Sequence, residues 1–412
     1  MSARLAAALL LLASPAAADP DAYVEVARGR ALAEAGDCIA CHTVPGGIPF
    51  AGGLALETPF GTIMTPNLTP DLATGLGRWT ADGFARALHE GRRPDGTRLY
   101  PAFPYTYYTR VTRADSDAIF AYFRALPPVS NAVDRSTLPW PFSIRTSMLA
   151  WNAMYFTPGQ VPADPQRSAQ FNRGAYLVEG LGHCGACHTP LNLLGAAKDN
   201  RHLQGGQLQG WVAPSLTNDN RTGLGAWQVD DIVEYLQTGR NARSAASGPM
   251  AEVVANSTSH MPEPDLRAIA TYLKERGSAG APATAPATAP ATAPVAASDP
   301  RMQAGAAIYG DTCAACHNQA GTGVAQLFPA LAGSAVVQQD DPATLARIVV
   351  TGTRAVATDA APTAPAMPSL GWRLSDTQVA AVLTYIRNSW GNAAPAVAAS
   401  DVRAIRAKVV AR

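Results

Sequence analysis

A chain of 412 residues with 32 basic and 31 acidic side chains lacks the basic surplus of a nucleic-acid binder. Its length allows roughly two to four domains, and 33 prolines with 35 glycines announce long loops. The N-terminus, MSARLAAALLLLASPAAADP, places one arginine before a short apolar run and a small-residue site at Ala16-Ala17-Ala18. Residues 1–18 therefore read as a secretory signal peptide cut before Asp19. The run is too short for a membrane anchor. No later stretch reaches spanning length, so the mature protein is expected to be exported without a transmembrane helix.

The cysteines occur only as CIACH (Cys38, Cys41, His42), CGACH (Cys184, Cys187, His188) and CAACH (Cys313, Cys316, His317). Cys-x-x-Cys-His is the attachment signal for c-type haem. Two thiols nearly one helical turn apart can add to two vinyl groups on one porphyrin edge, and the adjacent imidazole then lies at the iron. A zinc site would need further Cys or His ligands at finger spacing. A redox dithiol would sit in a βαβ context, which is missing here. Three covalently bound haem c groups use every cysteine and leave none for disulfides or thiol catalysis.

Each motif heads a repeat. A short amphipathic helix precedes it: VARGRALAEAGD, FNRGAYLVEGLGH and MQAGAAIYGDT. A glycine near the middle of each (Gly29, Gly174, Gly305) would let another helix cross closely. Pro-x-Leu follows each motif at Pro66–Leu68, Pro214–Leu216 and Pro329–Leu331. A periodic apolar helix with a tyrosine closes each repeat, at Tyr122, Tyr272 and Tyr385. The first two repeats also align without a gap over residues 65–91 and 213–239, matching Trp79 to Trp227 and Gly91 to Gly239 at an offset of 148. Such a period means duplicated domains, being too long for a solenoid.

These features resemble class I cytochrome c domains, which implies an all-α fold of three tandem domains, each wrapped around one covalent haem. The expected boundaries are 22–128, 168–277 and 300–392. A connector covers 129–167, a Pro/Ala/Thr linker 278–299 and a basic tail 393–412. The linker core APATAPATAPATAP is 14 residues long and would reach roughly 43 Å when extended, so it is expected to leave the third domain mobile. The aromatic, Met-rich connector is read as packing across a domain junction. The tail is read as a solvated helix, with an interfacial anchor as the alternative.

In the resembled family the two outer helices cross, the Pro-x-Leu carbonyl steadies the proximal histidine, and a loop methionine binds the far side of the iron. The resemblance implies His42, His188 and His317 as proximal ligands and Met250 and Met367 as distal ligands of the second and third haems. Met261 competes with Met250. In the first repeat, Phe103 of LYPAFPY stands where Met250 and Met367 stand, and it cannot ligate iron. Met64 is the nearest substitute in sequence but precedes Pro66 by two residues. His89 pairs with Gln237 in the second repeat, so a ligand role for it has no internal support. The first haem is expected to be five-coordinate, or bound by a substitute such as a methionine brought in by a loop rearrangement.

The sequence shows no GxGxxG turn, P-loop, HExxH or paired-carboxylate pattern. Redox centres without a substrate site indicate electron transfer rather than catalysis. The whole mature length resembles the three-haem cytochrome c subunits of bacterial membrane-bound dehydrogenases, through TPNLTPDLATGLGRW, WVAPSLTNDNRTGLGAW, GPMAEVV and LTYIRNSWGN. That resemblance implies a periplasmic subunit at the outer face of the cytoplasmic membrane, attached peripherally. It would take electrons from a flavin-, quinone- or molybdenum-dependent dehydrogenase subunit and pass them to ubiquinone or another carrier. Two alternatives remain: a free multihaem shuttle, and a haem enzyme acting through the unusual first haem.

Overall fold

Three helix crossings organise the chain, and the computed structural model describes them over residues 20–134, 136–276 and 293–410. The expected signal peptide and nearly all of the linker lie outside the described residues. The first unit contains α1 (Pro20–Ala35), α2 (Cys38–His42), α3 (Ala81–Glu90), α4 (Tyr105–Tyr108) and α5 (Arg113–Ala125). The helix α6 (Ser147–Tyr155) lies in the connector. The second unit holds α7 (Ala169–Tyr176), α8 (Gly185–His188), α9 (Val229–Thr238), α10 (Pro249–Asn256) and α11 (Glu263–Arg276). The third holds α12 (Pro300–Thr312), α13 (Ala314–His317), α14 (Ala343–Thr351), α15 (Asp376–Ile386) and α16 (Ala399–Val410).

The outer helices cross as pairs: α1 on α5, α7 on α11 and α12 on α15. The repeated glycines sit at these crossings. A Cβ built on Gly29 would overlap the carbonyl oxygen of Ala118; on Gly174, that of Ala268; on Gly305, that of Ala381. The recurring tyrosines pack beside them, their Cβ atoms 3.0 Å (Tyr122), 2.7 Å (Tyr272) and 2.6 Å (Tyr385) from that added carbon. Only a residue without a side chain lets two backbones approach this closely. Local sequence sets the helix ends. Thr80, Thr112, Ser168 and Ser375 cap helix N-termini by accepting backbone N–H bonds. Gly91 and Gly239 terminate α3 and α9 in the left-handed region, at φ 59° and 75°. Leu266 and Leu383, 0% and 1% exposed, anchor the second and third cores. Each contributes about 1.5–3 kcal/mol by burial.

The structure is mostly helical, but the all-α expectation needs amending. Three antiparallel ribbons are present: β1 (Ala55–Thr58) with β2 (Gly61–Met64), β3 (Gly206–Leu208) with β4 (Trp211–Ala213), and β5 (Thr353–Arg354) with β6 (Ala366–Met367). In the first two units the ribbon delivers the chain into Pro-x-Leu. Its strands are four residues or fewer, too short for a periodicity of two to register in the sequence.

Two further expectations change. The third unit is docked on the second rather than mobile. Arg240, 6% exposed, donates to the Thr363 carbonyl at 2.6 Å. Arg221 donates to Ala393 O at 3.0 Å, and Val212 N to Thr344 Oγ1 at 2.8 Å. Val356 packs into a cluster with Ala246, Val254 and Met250. The linker composition describes only the linker, whereas the docking arises from side chains distant from it in sequence. The tail is not a solvated helix either. Val402 of α16 is fully buried, and Arg406 donates to Asp376 at 2.8 Å and to the carbonyls of Gly371 and Leu374.

The connector divides. Trp151 is buried with Tyr105 and Ala196 and donates to Leu194 O at 2.9 Å, which is packing across the junction of the first two units. Trp140 of the connector remains 80% exposed, with Leu149 and Met154 also outside, and so does Leu193 of the second unit at 97%.

Candidate haem sites

Each motif lies on a short helix directly after the first crossing helix of its unit. In all three units, the histidine's Nδ1 meets the proline carbonyl of Pro-x-Leu: His42 with Pro66 at 2.8 Å, His188 with Pro214 at 2.7 Å, His317 with Pro329 at 3.0 Å. A carbonyl can only accept, so Nδ1 carries the proton and Nε2 keeps its lone pair. That is the tautomer a metal requires, held by a second-shell bond. Burial pushes His42 down to about 4, with the Pro66 carbonyl opposing; His188 and His317 are lowered for the same reason. All three imidazoles are therefore neutral near pH 7.

Among the described residues, none of the six cysteines is paired in a disulfide. Burial raises Cys38 and Cys184 to about 12 and Cys313 to about 11, with Asp37, Glu179 and Cys316 respectively adding to the effect. Those three thiols are therefore protonated near pH 7. Among the described residues, no group of three or more His, Cys, Asp or Glu side chains converges as a bare metal ion would need. The zinc alternative therefore gains no geometric support.

The second and third motifs open into one cavity of about 870 Å³. Its wall includes Cys184, Cys187, His188, Met250 and Met261 on one side and Cys313, Cys316, His317 and Met367 on the other. The rest is largely aliphatic and aromatic, with Trp211, Trp227 and Tyr235 among the liners. That volume is near the upper end for single-ligand pockets, roughly 300–1,000 Å³, and it is shared by two motifs. Neutral imidazoles, soft thioethers and an apolar wall form a donor set suited to iron in a macrocycle. The residues fit the group.

Met250 and Met367, expected on loops, stand on the first turn of α10 and on β6. Both still line the cavity together with the histidine of their own unit. Met261 lines it too, so the competition in the second unit persists.

In the first unit Phe103 occupies the corresponding place. Leu99 N bonds Gly91 O, and Ala246 N bonds Gly239 O, both at 2.7 Å. Counting four residues on from each gives Phe103 and Met250. Phe103 packs against the core of Phe50, Leu76, Phe84, Leu88 and Tyr108, its ring 5.4 Å from that of Tyr108. Met64 pairs with Ala55 in the ribbon that feeds Pro66, on the side of His42.

The first two motifs face each other, a feature that sequence reading did not find. Tyr108 and His183 meet edge to face with ring centroids 5.4 Å apart, Ser257 Oγ donates to Ala35 O at 3.1 Å, and Arg110 donates to Glu179 O at 3.0 Å. Asp37, directly before Cys38, lies in this junction in a left-handed conformation, φ 49°. One of its carboxylate oxygens is buried without a partner. Burial and the neighbouring Glu252 raise its carboxyl to about 7. Its position before the motif was visible in the sequence; its neighbours, from another repeat, were not.

A family model described as cytochrome c matches residues 302–390. The chain is 43% identical to the gluconate 2-dehydrogenase cytochrome c subunit of Pantoea cypripedii, over 98% of this chain and 95% of that one. It is 41% identical to the cytochrome c subunit of alcohol dehydrogenase (quinone) from Gluconobacter oxydans, over 98% and 87%. It is 36% identical to the fructose dehydrogenase cytochrome subunit of Gluconobacter japonicus, over 93% and 82%.

Proposed function

The chain belongs to the family of dehydrogenase cytochrome c subunits, electron-transfer rather than catalytic chains, and on that premise we propose that it carries three covalent haems in three tandem domains. The observation that carries this reading is the threefold repetition of one site: a Cys-x-x-Cys-His helix whose histidine is locked by a Pro-x-Leu carbonyl. Cys38, Cys41, Cys184, Cys187, Cys313 and Cys316 would form the thioether links. His42, His188 and His317 would ligate the irons, with Met250 and Met367 on the far sides of the second and third.

When bound, each haem takes up and releases one electron. The chain's own residues do the rest. Proline carbonyls fix the imidazoles, the apolar wall around Trp211 and Trp227 excludes water, and the units' packing fixes the spacing of the motifs. The first motif abuts the second, and the second shares its cavity with the third, which supports electron passage through the middle unit.

The relatives above are named for gluconate, alcohol and fructose dehydrogenases, so one cytochrome architecture serves several substrates in that family. We therefore place substrate choice in a partner dehydrogenase subunit that uses flavin, quinone or molybdenum, with ubiquinone or another carrier as acceptor and the periplasm as the compartment. No helix among the described residues is long and apolar enough to cross a membrane. We read peripheral attachment from exposed apolar side chains such as Trp140, Leu149, Met154 and Leu193.

The test is purification from the source membrane. A large catalytic chain should accompany this one, and pyridine haemochrome analysis should give three covalent haems per chain. The isolated subunit should oxidise no alcohol, aldehyde or sugar, yet accept electrons from the reduced partner. Turnover by the subunit alone at the rate of the complex would sink the reading.

A further inference from the structure

The first unit is built like the second except where an iron's far side would be served. There the second unit presents the Met250 thioether to its cavity and the first presents the Phe103 ring, at the same count from the same backbone bond. The question is whether any other donor of this chain reaches that place.

The sulfur donors are few. Met64 is the only methionine in residues 20–128, and it stands two residues from the carbonyl that holds His42. Met148 of α6 packs in the connector cluster around Tyr105, Trp151 and Ala196. Phe103 belongs to that cluster and to the unit's core, whereas Met148 belongs to the cluster alone. Met154 is 59% exposed.

Nitrogen donors fare no better. His89 has a buried Nε2 with no partner, but its counterpart Gln237 does not line the second unit's cavity, while Leu236, the counterpart of Leu88, does. His183 lines the cavity of its own unit beside Cys184, and toward the first unit its ring meets the edge of Tyr108 rather than Phe103. The tyrosine hydroxyls flanking Phe103 are committed as donors: Tyr100 to Phe142 O at 2.7 Å, Tyr105 to Asn152 Oδ1 at 2.6 Å, Tyr108 to Gly36 O at 3.3 Å.

We propose that the first haem keeps an exchangeable sixth position that takes a small uncharged diatomic ligand when the iron is ferrous. Phe103 packs there with Tyr105 and Tyr108, whose hydroxyls donate elsewhere. A neutral ligand such as carbon monoxide needs no charged partner beside it. The inference rests on the three-haem reading above.

The experiment uses the full-length holo chain, with covalent haem counted first by pyridine haemochrome. The reduced protein is then titrated with carbon monoxide and followed by difference spectroscopy. Uptake should saturate at one carbon monoxide per three haems. Phe103→Met should abolish that uptake and, in the oxidised protein, add a thioether–iron charge-transfer band. The wild-type titration stands by itself should that variant fold poorly. Three haems with no carbon monoxide uptake would overturn the inference and leave the three-haem reading intact. A count of two haems would overturn that reading, and the inference with it.

Discussion

The first and second units share an aligned stretch, a crossing glycine, a proline-locked histidine and a glycine-capped third helix, yet they differ at one side chain facing the expected iron. A duplicated unit can therefore keep its architecture while one position changes from a thioether to an aromatic ring. The crossing is a steric demand on two backbones, and the histidine lock is a single bond within one loop. Neither depends on whether residue 103 is phenylalanine or methionine. In the first unit the ring packs against the core of Phe50, Leu76 and Tyr108.

The largest test asks whether the two units really rest on the same crossing. Gly29→Leu and Gly174→Leu should each cost more than about 4 kcal/mol, since the added carbon overlaps a carbonyl oxygen of the partner helix. Both should lower holo-protein yield and thermal midpoint by similar amounts. Gly310→Ala is the control, because nothing lies within 4 Å of its added carbon. If the Gly29 variant proved as stable as that control, the two crossings would not be equivalent.

How much of this was legible beforehand follows the range of the interactions involved. The attachment motifs and helix-ending glycines were readable because each demand is met within a few residues; the crossing glycines, whose partners Ala118, Ala268 and Ala381 are distant in sequence, were readable because they recur at one place in all three repeats. The histidine lock was implied by Pro-x-Leu, because both partners lie in one repeat. The docking of the third unit was not readable: Arg240 and Thr363 are 123 residues apart and neither belongs to a motif. Likewise, nothing in the basic composition of residues 393–412 announces that Arg406 will bridge to Asp376. The short helix under Met250 was missed because the Gly-Pro before it reads as a loop, although proline suits a first helical turn.

A second test converts one unit into the other. Met250→Leu removes the thioether while keeping an apolar side chain of similar volume. The second unit should lose its thioether band, its potential should fall because thioether ligation favours the reduced iron, and carbon monoxide uptake should rise from one to two per chain. Unchanged spectra would assign the ligand to Met261 instead, and Met261→Leu would then show the loss.

The junctions can be compared in the same way. Arg240→Ala leaves the Thr363 carbonyl without its charged donor and should cost roughly 1.5–3 kcal/mol at the junction of the second and third units. Combined with Arg221→Ala, it should allow the third unit to separate after elastase cleaves the linker. The cleaved wild type should still co-elute on gel filtration, because its contacts do not involve the linker. Separation of the cleaved wild type would restore the mobile picture.

The smallest expected effect distinguishes the haems by charge. The residue before the first cysteine of each motif is Asp37, His183 or Thr312, so only the first motif carries a carboxyl there. Burial and then Glu252 raise that carboxyl to about 7, and Glu252 is itself raised by burial. Cys187 of the second motif lies within its electrostatic reach. The sign follows from the raised value. Below it the folded chain holds a proton that the unfolded chain has already released, and this contribution to stability is lost as pH rises from about 4 through 7. The same rise places a negative charge between the first two motifs and favours the oxidised state of both. Their potentials should therefore fall across neutral pH with a slope below the limiting ~59 mV per pH unit of a one-electron, one-proton couple. The third haem, with Thr312 in that position, should be flat. Asp37→Asn should flatten the first two while leaving the haem count unchanged, as spectroelectrochemical titration between pH 5 and 9 would show. A slope that survives the substitution would move the titrating group elsewhere, with Glu252 the next residue to replace.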